Sequence, residues 1–201
     1  MKKHFLVWIL CLISFGLHAQ KSDQAKIILN KVEAVLKKAG GIRASFDGSS
    51  KGLLLMNEEK FYLNCNGIQT WYNGKTQWSY IADSEEVNIS NPTLEELQSI
   101  NPYILMQTYK KGYKYQYHGT KNINGRKGYE IELIPQEQSS FSSIILFISE
   151  SYLPLNIKII SDSQEPFEFK ITSYQQHQRL SDKTFEFDIK QYPQVEIIDL
   201  R

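Results

Sequence analysis

The sequence predicts an α+β, mainly β protein in which about ten antiparallel strands, mostly joined by short turns, curl towards a barrel. About ten short segments repeat apolar residues with the period of two that is typical of strands. Two Asn-Gly pairs, Asn73-Gly74 and Asn124-Gly125, lie between such segments and indicate tight hairpin turns. Two stretches of helical periodicity, one near the N-terminus and one in mid-chain, supply helices that can cover one mouth or face of the curved sheet.

The first segment, residues 1–19, is predicted to be a cleaved secretory signal peptide, which leaves residues 20–201 as a single domain. Lys2 and Lys3 precede the continuous apolar run 5–13, and a small residue, Ala19, marks the exit. About twelve apolar residues fall short of the roughly 20 that span a membrane. The mature protein is therefore expected to be soluble, exported and periplasmic.

Cleavage changes which reactive side chains remain. Cys11 is lost, and Leu10 stands before it where a lipoprotein signal would need a small residue. Cys65 is then the one cysteine of the mature chain, which rules out an internal disulfide. The histidines that remain are His118 and His177.

The mature chain is expected to begin with a helix over Asp23–Ala39. Apolar residues recur there at steps of three and four, with lysines on the other side. Gly40-Gly41 is a typical C-terminal stop. The one-sided stripe predicts that this helix packs against an apolar surface.

Strands are expected from the period of two that begins after Phe46. The predicted strands are Leu53–Met56, Lys60–Cys65, Ile68–Tyr72, Thr76–Ile81, Glu86–Ile89, Tyr113–Gly119, Lys127–Ile134, Ser143–Ser149, Leu155–Ser161, Phe167–Tyr174, Phe185–Ile189 and Val195–Leu200.

The segment Pro92–Lys110 interrupts the strands with two short helices. Thr93 and Glu96 have the spacing of a capping box. Asn101-Pro102 restarts the segment, with Asn as N-cap and Pro at the first helical position. The apolar residues of this segment fall on one side: Leu94, Leu97, Ile100, Ile104, Leu105 and Met106.

The composition argues against several classes of function. Lys and Arg number 23 against 22 Asp and Glu, whereas a nucleic-acid-binding domain normally shows a basic excess. His118 and His177 occupy polar surroundings typical of surface residues, and no nucleophile elbow or phosphate-binding glycine loop is present. Two histidines and one cysteine do not make a zinc site. We expect no enzyme activity, no metal and no cofactor.

Aromatic residues make up 12% of the chain, more than a small filled barrel needs. Ordinary core packing accounts for many of them. A half-open barrel under helices can also keep an apolar cavity for an aliphatic guest. Both interpretations stay open from composition alone, and the residues that we predict for such a cavity from the strands are Phe61, Trp71, Trp78 and Tyr80.

Five motifs, in this order, resemble the outer-membrane lipoprotein carrier family, periplasmic chaperones of the LolA type. Their sequences are Arg-Ala-Ser-Phe at 43–46, Tyr-Asn-Gly-Lys-Thr-Gln-Trp-Ser-Tyr at 72–80, Asn-Pro-Tyr-Ile-Leu-Met at 101–106, Gly-Tyr-Glu-Ile-Glu-Leu-Ile-Pro at 128–135, and the closing segment from Phe185 to Arg201. Together they span most of the mature chain.

The resemblance implies an incompletely closed β-barrel with a helical lid over an apolar cavity. It implies that Phe61 lines this cavity and that Tyr103, Ile104, Leu105 and Met106 belong to the lid. It also implies a monomeric carrier that takes lipoprotein acyl chains from an inner-membrane lipoprotein-releasing ABC transporter to an outer-membrane acceptor or bilayer. Many members carry an Arg-Pro pair that helps hold the lid, and this chain has Asn57-Glu58-Glu59-Lys60 in its place. The resemblance therefore does not imply an arginine contact to the lid in this chain.

A second hypothesis is an exported lipid-binding or glycolipid-binding protein, or an envelope-stress sensor, of the same fold. The departures from the family pattern keep this alternative open.

Overall fold

A computed structural model describes residues 22–123, 125–161 and 164–201. The predicted signal peptide, and Asn124 of the second hairpin signal, lie outside the described residues. The helices are α1 (22–38), α2 (Leu94–Ile100) and α3 (Pro102–Gly112). The strands are β1 (Gly41–Gly48), β2 (Gly52–Asn57), β3 (Lys60–Cys65), β4 (Ile68–Tyr72), β5 (Gln77–Ile81), β6 (Glu86–Ser90), β7 (Tyr113–Ile123), β8 (Arg126–Pro135), β9 (Ser143–Ser149), β10 (Pro154–Ser161), β11 (Gln164–Gln178) and β12 (Glu196–Asp199).

The strands form one curved sheet of 12 strands, in the order β12-β6-β5-β4-β3-β2-β1-β11-β10-β9-β8-β7. Two antiparallel meanders, β1–β6 and β7–β11, are joined where β1 pairs with β11. β12 adds to β6 in parallel. Because β7 and β12 are opposite edges of this sheet, the barrel is incompletely closed, and the predicted fold class is confirmed.

Local signals for turns and helix ends are confirmed by their hydrogen bonds. The Asn73 carboxamide oxygen accepts from the backbone N–H groups of Lys75 and Thr76, both at 3.0 Å. These bonds stabilise the turn that connects β4 to β5. The Thr93 N–H donates to the Glu96 carboxylate at 2.7 Å, and the Glu96 N–H donates back to the Thr93 hydroxyl at 3.3 Å. These contacts join residues at most three positions apart, which is why the sequence alone predicts them.

Two strand predictions need correction. The period of two begins earlier than predicted, at β1, where Ile42, Ala44 and Phe46 are buried in alternation. The predicted strand Phe185–Ile189 is wrong, because two short 3-10 helices, Asp182–Phe185 and Ile189–Gln191, occupy this region. The first of them lies against β3 and β4, and the β6 edge that could have paired with a strand is already taken by β12.

The core lies between the concave face of the sheet and the three helices. Helix α1 buries one stripe, as predicted, and Gly40 ends it with a positive φ of 60°. The helices and strands meet in one hydrophobic cluster whose helical members are Ala25, Ile28, Leu29, Val32, Leu36, Leu97, Ile104, Leu105, Met106 and Tyr109. No helix among the described residues has the length and apolarity that crossing a membrane requires.

Candidate functional site

An apolar cavity of about 100 Å³ lies between the helices and the concave face of the sheet. Strands β1–β3, β10 and β11 form its floor, while α1 and the corner between α2 and α3 border it. Its lining is almost entirely apolar, and consists of Leu36, Ile42, Ala44, Phe46, Leu54, Met56, Leu63, Ile100, Pro102, Pro154, Ile157, Phe169, Ile171 and Tyr174.

An irregularity in β11 brings Tyr174 into this lining. Ser173 pairs with Ser45 and Ile171 pairs with Phe46, so that Thr172 is an extra residue on the β11 side. Alternation alone would place Ile171 and Tyr174 on opposite faces. The bulge reverses the alternation, and both side chains reach the cavity.

Tyr174 is the polar exception in the wall. Its buried hydroxyl makes no hydrogen bond of normal geometry to any described residue. Burial raises the pKa of Tyr174 to about 12, which outweighs the lowering by the nearby Gln176 side chain. The phenol is therefore neutral at physiological pH.

The corner between α2 and α3 is fastened to the sheet by Asn101, which has an exposed fraction of 0%. Its side-chain nitrogen donates to the backbone carbonyls of Glu58 and Glu59, both at 3.0 Å, in the β2–β3 turn. Its side-chain oxygen accepts from the Tyr103 N–H at 2.9 Å and caps α3. We call the two bonds from Asn101 to the β2–β3 turn the lid latch.

The lid latch involves the segment in which this chain lacks the Arg-Pro pair of many family members. Glu58 and Glu59 belong to the segment that stands where many family members carry Arg-Pro. In this chain the hydrogen-bond donor is Asn101, at the corner between α2 and α3, and the acceptors are backbone carbonyls of the β2–β3 turn. Residues Ile100 and Pro102, on either side of Asn101, both line the cavity, so opening this corner would open the cavity.

Further polar contacts hold α2 at its other end. The Glu95 carboxylate accepts from the Ser140 N–H at 3.0 Å and from the Ser139 hydroxyl at 2.8 Å. These bonds, led by the one from the Ser140 backbone, lower the pKa of Glu95. The Tyr113 hydroxyl donates to the Gln98 side chain at 2.7 Å. Helix α2 is thus tied to the β8–β9 loop and to the start of β7.

Helix α3 is bound to α1 by a separate pair of contacts. Lys110 forms an ion pair with Glu33 at 2.7 Å, and the Tyr109 hydroxyl donates to the Asn30 side chain at 3.0 Å. Lys110 and Lys37, in that order, lower the pKa of Glu33. The helices are therefore bonded to each other as well as to the sheet.

Most of the predicted lid residues pack close to this cavity without lining it. Phe61, Leu97, Ile104, Leu105 and Met106 are buried members of the core cluster, and Tyr103 is partly buried against it. Of the predicted lid residues, Ile100 lines the cavity. Leu94 points away from the core, with an exposed fraction of 56%.

The predicted aromatic residues Trp71, Trp78 and Tyr80 do not line this cavity, which corrects the expectation from sequence. Phe61 and its cross-strand partner Tyr72 are buried in the core cluster. Trp71 is the next residue along β4 and points to the opposite face, where it pairs with Trp78. Tyr80 is two residues from Trp78 and shares that outer face.

Sequence reasoning missed most of the wall. The cavity residues of β1 belong to a strand that the periodicity did not predict, and Tyr174 depends on the β11 bulge. Leu54 and Met56 of β2 and Leu63 of β3 also line the cavity, but the runs 53–56 and 61–63 are apolar throughout, so the sequence does not show which of their residues face it.

The two histidines lie outside this cavity. His118 contacts the Glu132 carboxylate at 2.9 Å on the surface of the β7–β8 hairpin. The backbone N–H of His177 donates to the Ala39 carbonyl at 2.8 Å, beyond the end of α1. Within the described ranges, no group of three His, Cys, Asp or Glu side chains is placed to hold a metal ion.

A family model described as outer membrane lipoprotein carrier protein LolA matches residues 15–163, well over half of the chain. A search of curated proteins gives no match. An uncharacterized conserved protein from Thermus thermophilus has a similar structure, with a TM-score of 0.59 at 15% identity, over 88% of this chain and 99% of that chain. Lower similarity is found for the lipoprotein LppX from Mycobacterium tuberculosis, with a TM-score of 0.45 at 12% identity, over 78% of this chain and 99% of that chain. The Thermus structure shows that the fold is shared.

Proposed function

Because the chain belongs to the outer membrane lipoprotein carrier family, we propose that it is a periplasmic carrier that binds the acyl chains of lipoproteins and takes them from the inner to the outer membrane. The observation that carries this proposal is the apolar cavity between the lid helices and the concave face of the sheet. Its wall offers a hydrocarbon chain almost no polar group to desolvate.

Burial of hydrocarbon supplies the binding energy in this proposal. Each methylene removed from water is worth about 0.8 kcal/mol, so an acyl chain binds strongly if the cavity can hold it. The cavity of about 100 Å³ is smaller than typical ligand pockets, which measure roughly 300–1,000 Å³. In this proposal the described structure is the closed state, and acyl-chain binding requires α2 and α3 to move off the sheet.

The proposed route begins with export by the predicted signal peptide. A monomer of this protein receives the acyl chains from an inner-membrane lipoprotein-releasing ABC transporter and delivers them to an outer-membrane acceptor or to the bilayer itself. Breaking the lid latch exposes the cavity, and closure restores the two hydrogen bonds from Asn101.

Depletion of the protein in its host tests this proposal directly. Lipoproteins should then accumulate at the inner membrane, as measured by fractionation and immunoblotting. Re-expression with Ile157→Asn, which places a polar group in the cavity wall, should not restore sorting. The matched variant Ile68→Asn changes an exposed residue of β4 and should restore it. Normal lipoprotein sorting after depletion would contradict the proposal.

Native mass spectrometry of the protein purified from its host identifies the cargo class. We expect a bound lipoprotein. A bound free lipid or glycolipid would contradict lipoprotein carriage and would support the alternative of an exported lipid-binding protein.

A further inference from the structure

A second concave site lies on the outer face of the sheet, opposite the apolar cavity. The C-terminal segment 182–192 lies against this face, and a groove of about 570 Å³ remains between them. This volume falls within the range of roughly 300–1,000 Å³ that is common for small-molecule sites. The groove is lined by Leu55, Tyr62, Gln69, Trp71, Lys183, Thr184, Glu186, Phe187, Asp188, Gln191 and Tyr192.

One part of this groove is a continuous aromatic surface. The Trp71 ring centroid lies 5.3 Å from that of Tyr62 and 5.3 Å from that of Phe187. Phe187 stacks on Tyr192 at 5.0 Å. Trp71 itself is only 8% exposed, so the apolar platform consists of the partly exposed rings of Tyr62, Phe187 and Tyr192, which Trp71 holds in fixed positions from beneath.

A hydrogen-bonding group is fixed beside the platform. The Gln69 side-chain oxygen accepts from the Tyr62 hydroxyl at 2.9 Å and from the Tyr192 hydroxyl at 3.3 Å. With its oxygen used in this way, the Gln69 carboxamide presents its nitrogen as a hydrogen-bond donor. No hydrogen bond from that nitrogen to another described residue is found, so both of its N–H groups remain for a ligand.

The remaining polar groups identify the class of ligand. Lys183 is a donor, Glu186 is an acceptor, and the Thr184 hydroxyl can act as both. The Asp188 carboxylate accepts from the Lys190 N–H at 3.1 Å and from the Gln191 side chain at 3.3 Å, and its remaining lone pairs can accept from a ligand. A cationic ligand would need acceptors alone, and an anionic ligand would need mainly donors. A neutral polyhydroxyl compound needs both kinds beside an apolar surface.

We propose that this outer-face groove binds a saccharide. The C–H face of a sugar ring would pack on the aromatic platform, and its hydroxyls would accept from Gln69 and Lys183 and donate to Glu186 and Asp188. This site is independent of the acyl cavity, because the two lie on opposite faces of the sheet.

Isothermal titration calorimetry of the mature protein with maltohexaose, cellohexaose and chitohexaose tests the proposal. We expect saturable binding of at least one of them, with a Kd of roughly 0.1–1 mM. Gln69→Leu keeps the side-chain volume and removes both donors, and should weaken this binding by about tenfold. Binding of a fluorescent fatty acid to the cavity should not change in this variant.

The matched control is Gln77→Leu, on β5. Gln77 pairs with Tyr72, whose side chain belongs to the core cluster on the other face, and the variant should bind the hexasaccharide like the wild type. Glu186→Ala changes an exposed lining residue and provides a second variant if Gln69→Leu unfolds. The proposal is overturned if none of the three sugars binds, or if the groove variants bind as tightly as Gln77→Leu.

Discussion

Replacing Asn101 with Ser removes the lid latch while preserving the helix cap, because Ser is a good N-cap residue but its hydroxyl cannot make both bonds to Glu58 and Glu59. Each lost hydrogen bond is worth about 0.5–1.5 kcal/mol, so the closed lid should be destabilised by about 1–3 kcal/mol. This difference corresponds to a roughly 5- to 150-fold rise in the fraction of open molecules.

Hydrogen–deuterium exchange followed by mass spectrometry measures that fraction locally. Amides of α2 and α3 should exchange faster in Asn101→Ser by the same factor, while amides of β8 and β9 should change less. The control variant is Asn156→Ser, which removes a hydrogen bond of 2.7 Å to Glu168 on the sheet, away from the lid. Unchanged exchange in α2 and α3, or an equal effect of Asn156→Ser there, would refute the assignment of Asn101 as the latch.

Other predictions concern the core, the cavity wall and the buried phenols. Phe61→Ala should lower the free energy of unfolding by about 3–5 kcal/mol in urea denaturation, because Phe61 is fully buried in the core. Leu63→Asn, on the cavity wall, should weaken fatty-acid binding by about tenfold in a fluorescence titration. Burial raises the pKa values of Tyr109, Tyr113 and Tyr174 to about 12, so absorbance at 295 nm should show a late class of phenols. Their contribution to stability should be complete below pH 10 and lost between about pH 10 and 12, since these phenols ionise earlier in the unfolded chain. Tyr174→Phe should keep or raise the thermal midpoint, as it removes a buried hydroxyl that lacks a hydrogen bond; a drop of several degrees would contradict that prediction.

Local features of the fold were predictable because their causes lie within a few residues. The capping box at Thr93, the cap at Asn101 and the glycine at the end of α1 each depend on backbone groups close in sequence. The strands Lys60–Cys65 and Ser143–Ser149, which are short segments rich in aromatic and aliphatic residues, were predicted with their observed bounds.

The predicted site was less accurate because it required the face of each strand. Trp71 and Tyr72 are neighbours in the chain, both aromatic and both well buried, yet only Tyr72 belongs to the core cluster on the concave side. A shift of one residue exchanges the two faces of a strand. Phe187 and Tyr192 cover Trp71 on the outer face, so aromatic residues are buried on both faces of β4. The apolar character of Trp71 in the sequence therefore does not indicate which face it occupies.

The sequence by itself determined most of the secondary structure types, most turns and caps, and a family resemblance that the match over residues 15–163, which contains four of the five motifs, confirms. These properties follow from short-range hydrogen bonding and from the periods of 2 and 3.6 residues. Tertiary structure alone decided that β1 pairs with β11, that a bulge turns Tyr174 into the cavity, and that Asn101 reaches the β2–β3 turn. Each of these contacts joins residues more than 40 positions apart, and which of many such pairings forms is settled by the packing of the whole chain.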